Sequence, residues 1–399
     1  MKKLTGLFAV ALFMFAAHAQ ASQKIISFDA AYRGAMVKSV EKIGGKVTRQ
    51  FQIIDALVAI FPDNVRDSAI ASLEGVTGVE EDLYIKWIEA APVSMNAVPL
   101  PTLENAMGMI RESAAWETPV LAVAKPDADT EIPWGVKRVN AAGAWNFTEG
   151  AGVKVAVIDT GVDYNHPDLA ANYKGGYNTI ITTAPPLDDH GHGTHVSGTI
   201  AAIRNASGVV GVAPRASLYG VKVLDKNGSG SYSNVMAGIE WAAQNGMQVI
   251  NMSLGGGGAN AAMQKVMTAA YNAGVTIVCA AGNDSGAVNY PAKYVESIAV
   301  SASDSADKLA SLSSKGPEIA VIAPGVSIYS TAKGGGYRNM SGTSMACPHV
   351  AGLAALAISA GADTPAAARQ ALTKAAVKLP GLKPTDQGAG LVDASKLGN

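Results

Sequence analysis

The sequence predicts an α/β protein with a mostly parallel central sheet, preceded by a small α+β module. Three observations carry this. After residue 150, the runs "VKVAVIDTG", "ASLYGVKVLD", "MQVINMSLGG", "VTIVCAAGN" and "SIAVSAS" are apolar and β-branched, as strands buried on both faces are. Segments with helical spacing, such as "SNVMAGIEWAAQNG" and "ANAAMQKVMTAAYNAG", fall between them, and alternating strands and helices build parallel sheets. Ahead of them, residues 22–90 carry patterns in the order β-α-β-β-α-β, the split βαβ or ferredoxin-like arrangement.

Residues 1–21 read as an export signal. Lys2 and Lys3 precede "LFAVALFMFAA", too short to span a bilayer as an ordinary helix, and Ala19 and Ala21 are small residues ahead of an expected cut before Ser22. A secreted protein, extracellular or periplasmic, is therefore expected, with no membrane association once the signal is removed. In the module, residues 24–28 alternate like a strand, and 33–43 have helical spacing ended by Gly44-Gly45. Two strands are expected over 46–53 and 56–61, a helix over 64–73 capped by Asn64, and a last strand over 76–82. Residues 91–129 are rich in Ala, Pro and Met and lack a sustained period. They read as a linker containing a processing site, with room for a short helix over 103–115. Residues 130–399 form the large domain.

Composition excludes several classes. A chain of 399 residues exceeds one ordinary core, and 48% hydrophobic, 16% charged and 43 glycines describe a well-buried, turn-rich protein rather than a disordered one. With a net charge of −1 and no long basic run, nothing points to nucleic acid or an anionic membrane surface. Cys279 and Cys347 each sit in an apolar segment, so buried free thiols are expected.

In open α/β sheets, ligands sit beyond the carboxyl ends of the strands. Asp159 closes the strand expected over 153–158, and Gly282-Asn283 follow that over 275–280; each alone reads as a turn residue. "DDHGHGTHVSG" holds three of the six histidines, His190, His192 and His195. His192 and His195 are three apart at the start of a helical run, so a shared metal ion and a catalytic base are both open. "NMSGTSMACPHVAGLAALAI" places Ser344 at the start of a helix that is apolar all round, hence buried, with first-turn N–H groups beside the serine. Pro348 is tolerated there as a residue of the helix beginning. A serine at a helix start is ordinarily an N-cap. Together, carboxylate, imidazole, hydroxyl and amide are the parts of nucleophilic acyl transfer: a base, its orienter, a nucleophile and an oxyanion donor.

"VAVIDTGVDYNHPDL", "HGHGTHVSGTIAA", "NMSLGG", "AAGND" and "GTSMACPHVAG" resemble, in family order over residues 132–356, the sequence blocks of the subtilisin-like serine proteases, the subtilases. The resemblance implies a three-layer domain and a broad-specificity serine endopeptidase working through an acyl-enzyme. By it, Asp159 orients His192, Ser344 attacks, and the Asn283 side chain with the Ser344 N–H stabilises the oxyanion. His195 becomes a structural neighbour, and His190 stands near substrate where asparagine is common. His166 and His349 are expected to be structural.

The resemblance also gives roles to two glycine runs that lack a phosphate-binding spacing. Gly228, Ser229 and Gly230 would pair with one edge of an extended peptide, and Ser253, Leu254 and Gly255 with the other. The specificity pocket would include Ser253 to Gly256 (Gly256 closing that run), Ala281, Gly282 and Asn289. "IRNASGV" resembles the family's calcium loop, implying structural calcium held by Asp168, the Asn205 side chain and the carbonyls of Ile203, Ser207 and Val209. The glutamine that the family adds near the mature start is not evident around residues 129–131, and Ala320 stands where a second site often has a carboxylate. Residues 22–90 would be a propeptide, a folding aid and intramolecular inhibitor, whose tail lies in the groove and is cut by Ser344 between Ala90 and Thr130. A monomer acting on protein or peptide substrates is expected. A serine esterase or a catalytically inactive secreted binding protein on the same fold are the alternatives. A lone secreted inhibitor would fit only the first module.

Overall fold

The computed structural model describes residues 22–88 and 131–398. The expected signal segment, the linker with its processing site and the helix expected over 103–115 lie outside the described residues. The chain divides into two compact units, one of residues 22–50 and 55–82, the other of residues 51–54 and 83 onward.

The first unit contains β1 (Ser22–Phe28), α1 (Arg33–Lys42), β2 (Lys46–Gln50), β3 (Ala56–Phe61), α2 (Asp67–Ala71) and β4 (Val76–Glu81). The four strands form one antiparallel sheet in the order β2-β3-β1-β4, as the split βαβ pattern requires. Ile26, Phe28, Leu57, Ala59 and Phe61 from the sheet cluster with Met36, Val40 and Ile70 from the helices. Lys24 is buried on β1, and its ammonium is paired with Asp67 and Glu81. Two expected boundaries change. β2 stops at Gln50, because residues 51–54 leave this unit. The second helix starts at Asp67 behind Arg66, which makes no side-chain cap; Asn64 instead sits in a turn closed by Val65 N donating to Pro62 O.

The second unit opens with β5 (Tyr84–Lys86), α3 (Trp134–Arg138), α4 (Ala141–Ala144), β6 (Lys154–Asp159), β7 (Tyr173–Asn178) and α5 (His192–Ala201). It continues through β8 (Ser217–Lys222), β9 (Ser229–Ser231), α6 (Tyr232–Gln244), β10 (Val249–Met252), α7 (Ala261–Asn272), β11 (Thr276–Ala280) and β12 (Ser297–Ser303). The remainder is β13 (Ile319–Pro324), β14 (Ile328–Ala332), β15 (Gly336–Met340), α8 (Thr343–Ser359), α9 (Pro365–Ala375), β16 (Ala376–Val377), α10 (Pro384–Gln387) and β17 (Leu391–Val392). The large sheet runs β16-β17-β13-β12-β11-β10-β6-β8-β7, parallel throughout except for β16 against β17.

The five apolar runs became β6, β8, β10, β11 and β12, the middle of the sheet. At its edge, β7 ("YKGGYN") has no apolar run, since an edge strand needs none. β14 and β15 form a separate antiparallel hairpin. Helices pack on this sheet, giving the three-layer α/β fold. α8 is buried from Thr343 to Ile358 and packs on β10, β11, β12, β13 and α5. Among the described residues, no helix is long and apolar enough to cross a membrane.

Pro348 is not at the helix beginning as expected but inside α8, beyond the first four N–H groups. Its missing N–H leaves the carbonyl of Ser344, four residues back, without a helical donor. Ser253 Oγ donates to that carbonyl at 2.8 Å, so a residue after β10 completes the helix.

Candidate active site

β6 ends on Asp159, which is fully buried. Each of its carboxylate oxygens lies 2.9 Å from His192 Nδ1, and Oδ1 also accepts from Thr160 N at 2.7 Å. A carboxylate only accepts, so Nδ1 is the nitrogen that donates, and Nε2 is the one left to accept a proton. His192 is the first residue of α5, and the helix start lies directly against the strand end. A methyl group on Gly193 would stand 2.1 Å from the Gly161 carbonyl and 3.1 Å from Asp159 Oδ1, so only glycine permits this approach.

Two residues that the sequence reading did not single out brace the turn that leads into His192. Asp188 Oδ1 accepts from Thr160 Oγ1 (2.9 Å), His190 N (2.9 Å) and Gly191 N (2.7 Å). Its Oδ2 accepts from Thr194 N (2.9 Å) and Thr194 Oγ1 (2.5 Å). Burial works against the charge, but these donors outweigh it and hold the Asp188 carboxyl below its ordinary range. Lys222, the last residue of β8, is buried and donates to Thr160 O (2.7 Å), Leu224 O (2.8 Å) and Asp189 Oδ1 (2.6 Å). All three ammonium protons are thereby used. A polar signal was present for both: "DD" opens the histidine stretch, and Lys222 interrupts an otherwise apolar strand run.

Ser344 is the second residue of α8. Its hydroxyl donates to Ser253 O at 3.1 Å, and among the described residues it makes no hydrogen bond to His192. Asn283 stands beside it: its Oδ1 accepts from Thr343 N (2.8 Å) and Thr343 Oγ1 (2.9 Å), which fixes the amide and leaves Nδ2 turned away from these donors. Gly282 N donates to the same threonine hydroxyl at 3.1 Å. Asp159, His192, Asn283 and Ser344 therefore all stand where β6 and β11 end and α5 and α8 begin.

The two expected groove edges carry a strand from this same chain. β5 pairs antiparallel with β9, with Tyr84 opposite Ser231, Ile85 opposite Gly230 and Lys86 opposite Ser229. Trp87 N and Ile88 N donate to Gly228 O at 2.9 and 3.2 Å, and Gly255 N donates to Trp87 O at 3.1 Å. The Trp87 ring packs edge-on against Tyr232, its centroid 4.9 Å away, and its Nε1 donates to Gly230 O at 2.9 Å. Tyr84 OH donates to Asp225 Oδ2 at 2.9 Å; burial first, then that carboxylate, pushes the phenol up to about 12. The Gln52 and Ile53 N–H groups meet Glu240 Oε1 on α6, at 2.5 and 2.9 Å.

Of the pocket residues, Leu254 and Ala281 are buried, and Gly256 N donates to Tyr290 O at 3.1 Å. A methyl on Gly282 would meet Asn289 Nδ2 at 2.5 Å, and one on Gly255 would meet Asn289 Cβ at 3.7 Å, so Asn289 does face this cluster. Three other histidines, His195, His166 and His349, are committed elsewhere. His195 Nε2 donates to the carbonyls of Ile328 (3.0 Å) and Arg338 (3.1 Å), and burial lowers its pKa to about 3. His166 Nε2 donates to Gly336 O at 2.9 Å; His349 is buried, its Nδ1 donates to Met345 O at 2.8 Å, and burial lowers it to about 4. Cys279 and Cys347 are buried free thiols, and burial raises both pKa values.

Among the described residues, no group of three His, Cys, Asp or Glu gathers as a metal cluster. The 203–209 loop does bring Asn205 and Val209 to Asp168, but with donors forward. Asp168 Oδ1 accepts from Asn205 Nδ2 (3.1 Å), while Oδ2 accepts from Val209 N (3.0 Å) and Tyr337 OH (2.9 Å). Asn205 Oδ1 is turned to Ser207 N at 3.0 Å. The loop's Asn205 and Ala206 N–H groups go to Glu131 Oε1 at 2.9 and 3.1 Å, a carboxylate the ligand expectation did not include. Oxygen chemistry suited to calcium is present; the Asn205 amide must turn over to offer its oxygen.

Fold and site together define an α/β protein with an Asp-oriented histidine and a helix-start serine at the carboxyl ends of a parallel sheet. The chain belongs to the subtilase family: the model described as "Subtilase family" matches residues 150–393. It is 51% identical over 236 residues to "Subtilisin amylosacchariticus" of Bacillus subtilis subsp. amylosacchariticus, covering 57% of this chain and 61% of that protein, so it spans less than two thirds of that relative's length. It is equally 51% identical over 236 residues to "Subtilisin" of Bacillus pumilus, covering 57% of this chain and 85% of that one. To "M-protease" of Shouchella clausii (strain KSM-K16) it is 43% identical over 298 residues, covering 73% and 74%.

Proposed function

We propose that this protein is a secreted serine endopeptidase of broad specificity, made as a self-inhibited precursor. The observation that carries the reading is the buried Asp159–His192 pair, with Nδ1 facing the carboxylate, at the sheet end shared by Ser344 and Asn283. Ser344 Oγ rotates from the Ser253 carbonyl to His192 Nε2, gives up its proton, and bonds to the substrate carbonyl carbon. Asp159 holds the ring in the one tautomer that can accept and then stabilises the imidazolium. The oxyanion takes hydrogen bonds from Asn283 Nδ2 and Ser344 N, groups set in place before reaction. His192 returns the proton to the leaving amine, and water repeats the sequence on the acyl-enzyme. Main-chain pairing along Gly228 to Gly230 and at Gly255 favours peptides over simple esters, with little dependence on side chains.

The same strand addition supports residues 22–90 as an intramolecular inhibitor: Tyr84 to Ile88 lie along the groove as a substrate would. Casein incubated with matured protein should be cleaved, and a serine-directed sulfonyl fluoride should abolish cleavage; intact casein would overturn the protease reading. A Ser344→Ala precursor should stay full length, whereas its maturation without added protease would sink self-processing.

Calcium would be held by Asp168, Asn205 and the loop carbonyls of Ile203, Ser207 and Val209, tying the loop down without entering the chemistry. At a hundredfold excess over its Kd, calcium should stabilise the protein by about 2.7 kcal/mol. An unfolding temperature indifferent to calcium and chelator would remove it.

A further inference from the structure

Among the described residues, His190 is a polar ring at the groove that the chemistry above leaves unused. Its backbone is pinned by its N–H to Asp188, so the ring is carried to a fixed place. Its Nδ1 is buried with no hydrogen-bond partner among the described residues. A methyl group on Gly228 would stand 3.0 Å from Ile88 Cβ and 3.7 Å from His190 Nε2, so imidazole and tail side chain approach the same point of the groove. The tail backbone is fixed at that point by Gly228 O, which receives Trp87 N and Ile88 N. The Ile88 side chain offers the ring nothing to bond.

We propose that His190 is a specificity-determining residue, which favours a carboxylate on the substrate residue lying against Gly228 and favours it more strongly once the ring is protonated. This rests on the protease reading above. A neutral imidazole can donate one hydrogen bond there; the imidazolium adds a charge. The charged groups around it are mixed. His192 on α5 lies 6.2 Å away, centroid to centroid, and Arg338 on β15 also opposes the charge, whereas Asp159 on β6 and Asp188 of its own loop favour it. Asp189 is paired with Lys222 of β8, Lys333 donates to the Asp189 carbonyl, and Asp225 of the facing loop receives Tyr84 and its own backbone. Burial first and then His192 keep the free ring below its ordinary pKa, so it is mostly neutral at neutral pH and gains its proton on the acid side. A carboxylate brought by substrate reverses that balance.

The test uses matured protein and two peptides spanning the tail sequence 83–95, with Glu or Gln at position 88, cleavage being followed by mass spectrometry. The readout is the ratio of kcat/KM for Glu over Gln, in which pH effects common to both peptides cancel. In the wild type the ratio should rise roughly fivefold between pH 8 and pH 5.5, where the substrate carboxylate is still ionised, and shrink in high salt. In His190→Asn and in His190→Gln, checked for folding by their unfolding temperatures, it should be flat. A wild-type ratio that does not change with pH, or one that rises equally in both variants, overturns the proposal. Failure to cleave casein as well as both peptides overturns the protease reading and this inference with it.

Discussion

The two halves of the candidate site are held very differently. The imidazole half is held at Nδ1 by Asp159 and on a braced backbone, with Asp188 gathering the turn before α5 and Lys222 tying that turn to β8. The serine half is loose by comparison, since among the described residues the Ser344 hydroxyl donates a single hydrogen bond, to a neighbouring carbonyl. The difference follows from what each group does in the proposed reaction. A base is useful only in one tautomer and one orientation, whereas a nucleophile must swing from a resting acceptor to the base and then to carbon.

Removing the fixed amide tests the serine side most severely. Asn283→Ala should lower kcat by about two to three orders of magnitude with KM little changed, because the lost hydrogen bond is made only to the developing oxyanion. Equal loss in 1/KM and none in kcat would assign Asn283 to ground-state binding.

Loosening the imidazole side should cost less. Asp188→Asn exchanges an acceptor-only carboxylate for an amide that cannot accept from all the same donors, and a misplaced His192 should lower kcat by about a hundredfold. The folded Asp188 is more acidic than its unfolded form, so its contribution is full above the ordinary carboxylate range and is lost as pH falls through the folded value. The wild-type unfolding temperature should therefore fall, as pH drops below the ordinary carboxylate range, by more than that of Asp188→Asn. Parallel curves would show that this carboxylate adds nothing pH-dependent.

The smallest effect concerns the helix beneath the serine. Ser253→Ala removes the donor to the carbonyl that Pro348 leaves open and should cost about 1–3 kcal/mol. Pro348→Ala restores a helical N–H to that carbonyl, so the pair should be coupled: Ser253→Ala should cost clearly less in a Pro348→Ala background. Equal cost in both backgrounds would disprove the pairing.

Much of this was legible in the sequence, for identifiable reasons. Strands buried on both faces need unbroken apolar runs, so β6, β8, β10, β11 and β12 announced themselves, and Asp159 and Asn283 stood out because they close such runs. β7 was silent because it lies at the sheet edge. Asn64 was misassigned because asparagine serves a turn as readily as a cap, and Pro62 decided for the turn. Asp188 and Lys222 were visible as letters but not as partners, since Thr160 meets both only after β6 and β8 are paired.

By itself the sequence determined the α/β class, because apolar period is a local property of a chain; it offered the two-part organisation as an expectation, and the four residues of the proposed chemistry through their strand-end and helix-start positions together with the family resemblance. Only the tertiary structure decided which groups hold His192, which hydroxyl completes the Pro348 helix, and that Trp87 meets Gly230, a residue 143 positions away. Hydrogen bonds select partners by distance and angle in space. Residue order along the chain carries no record of either until the sheet has formed.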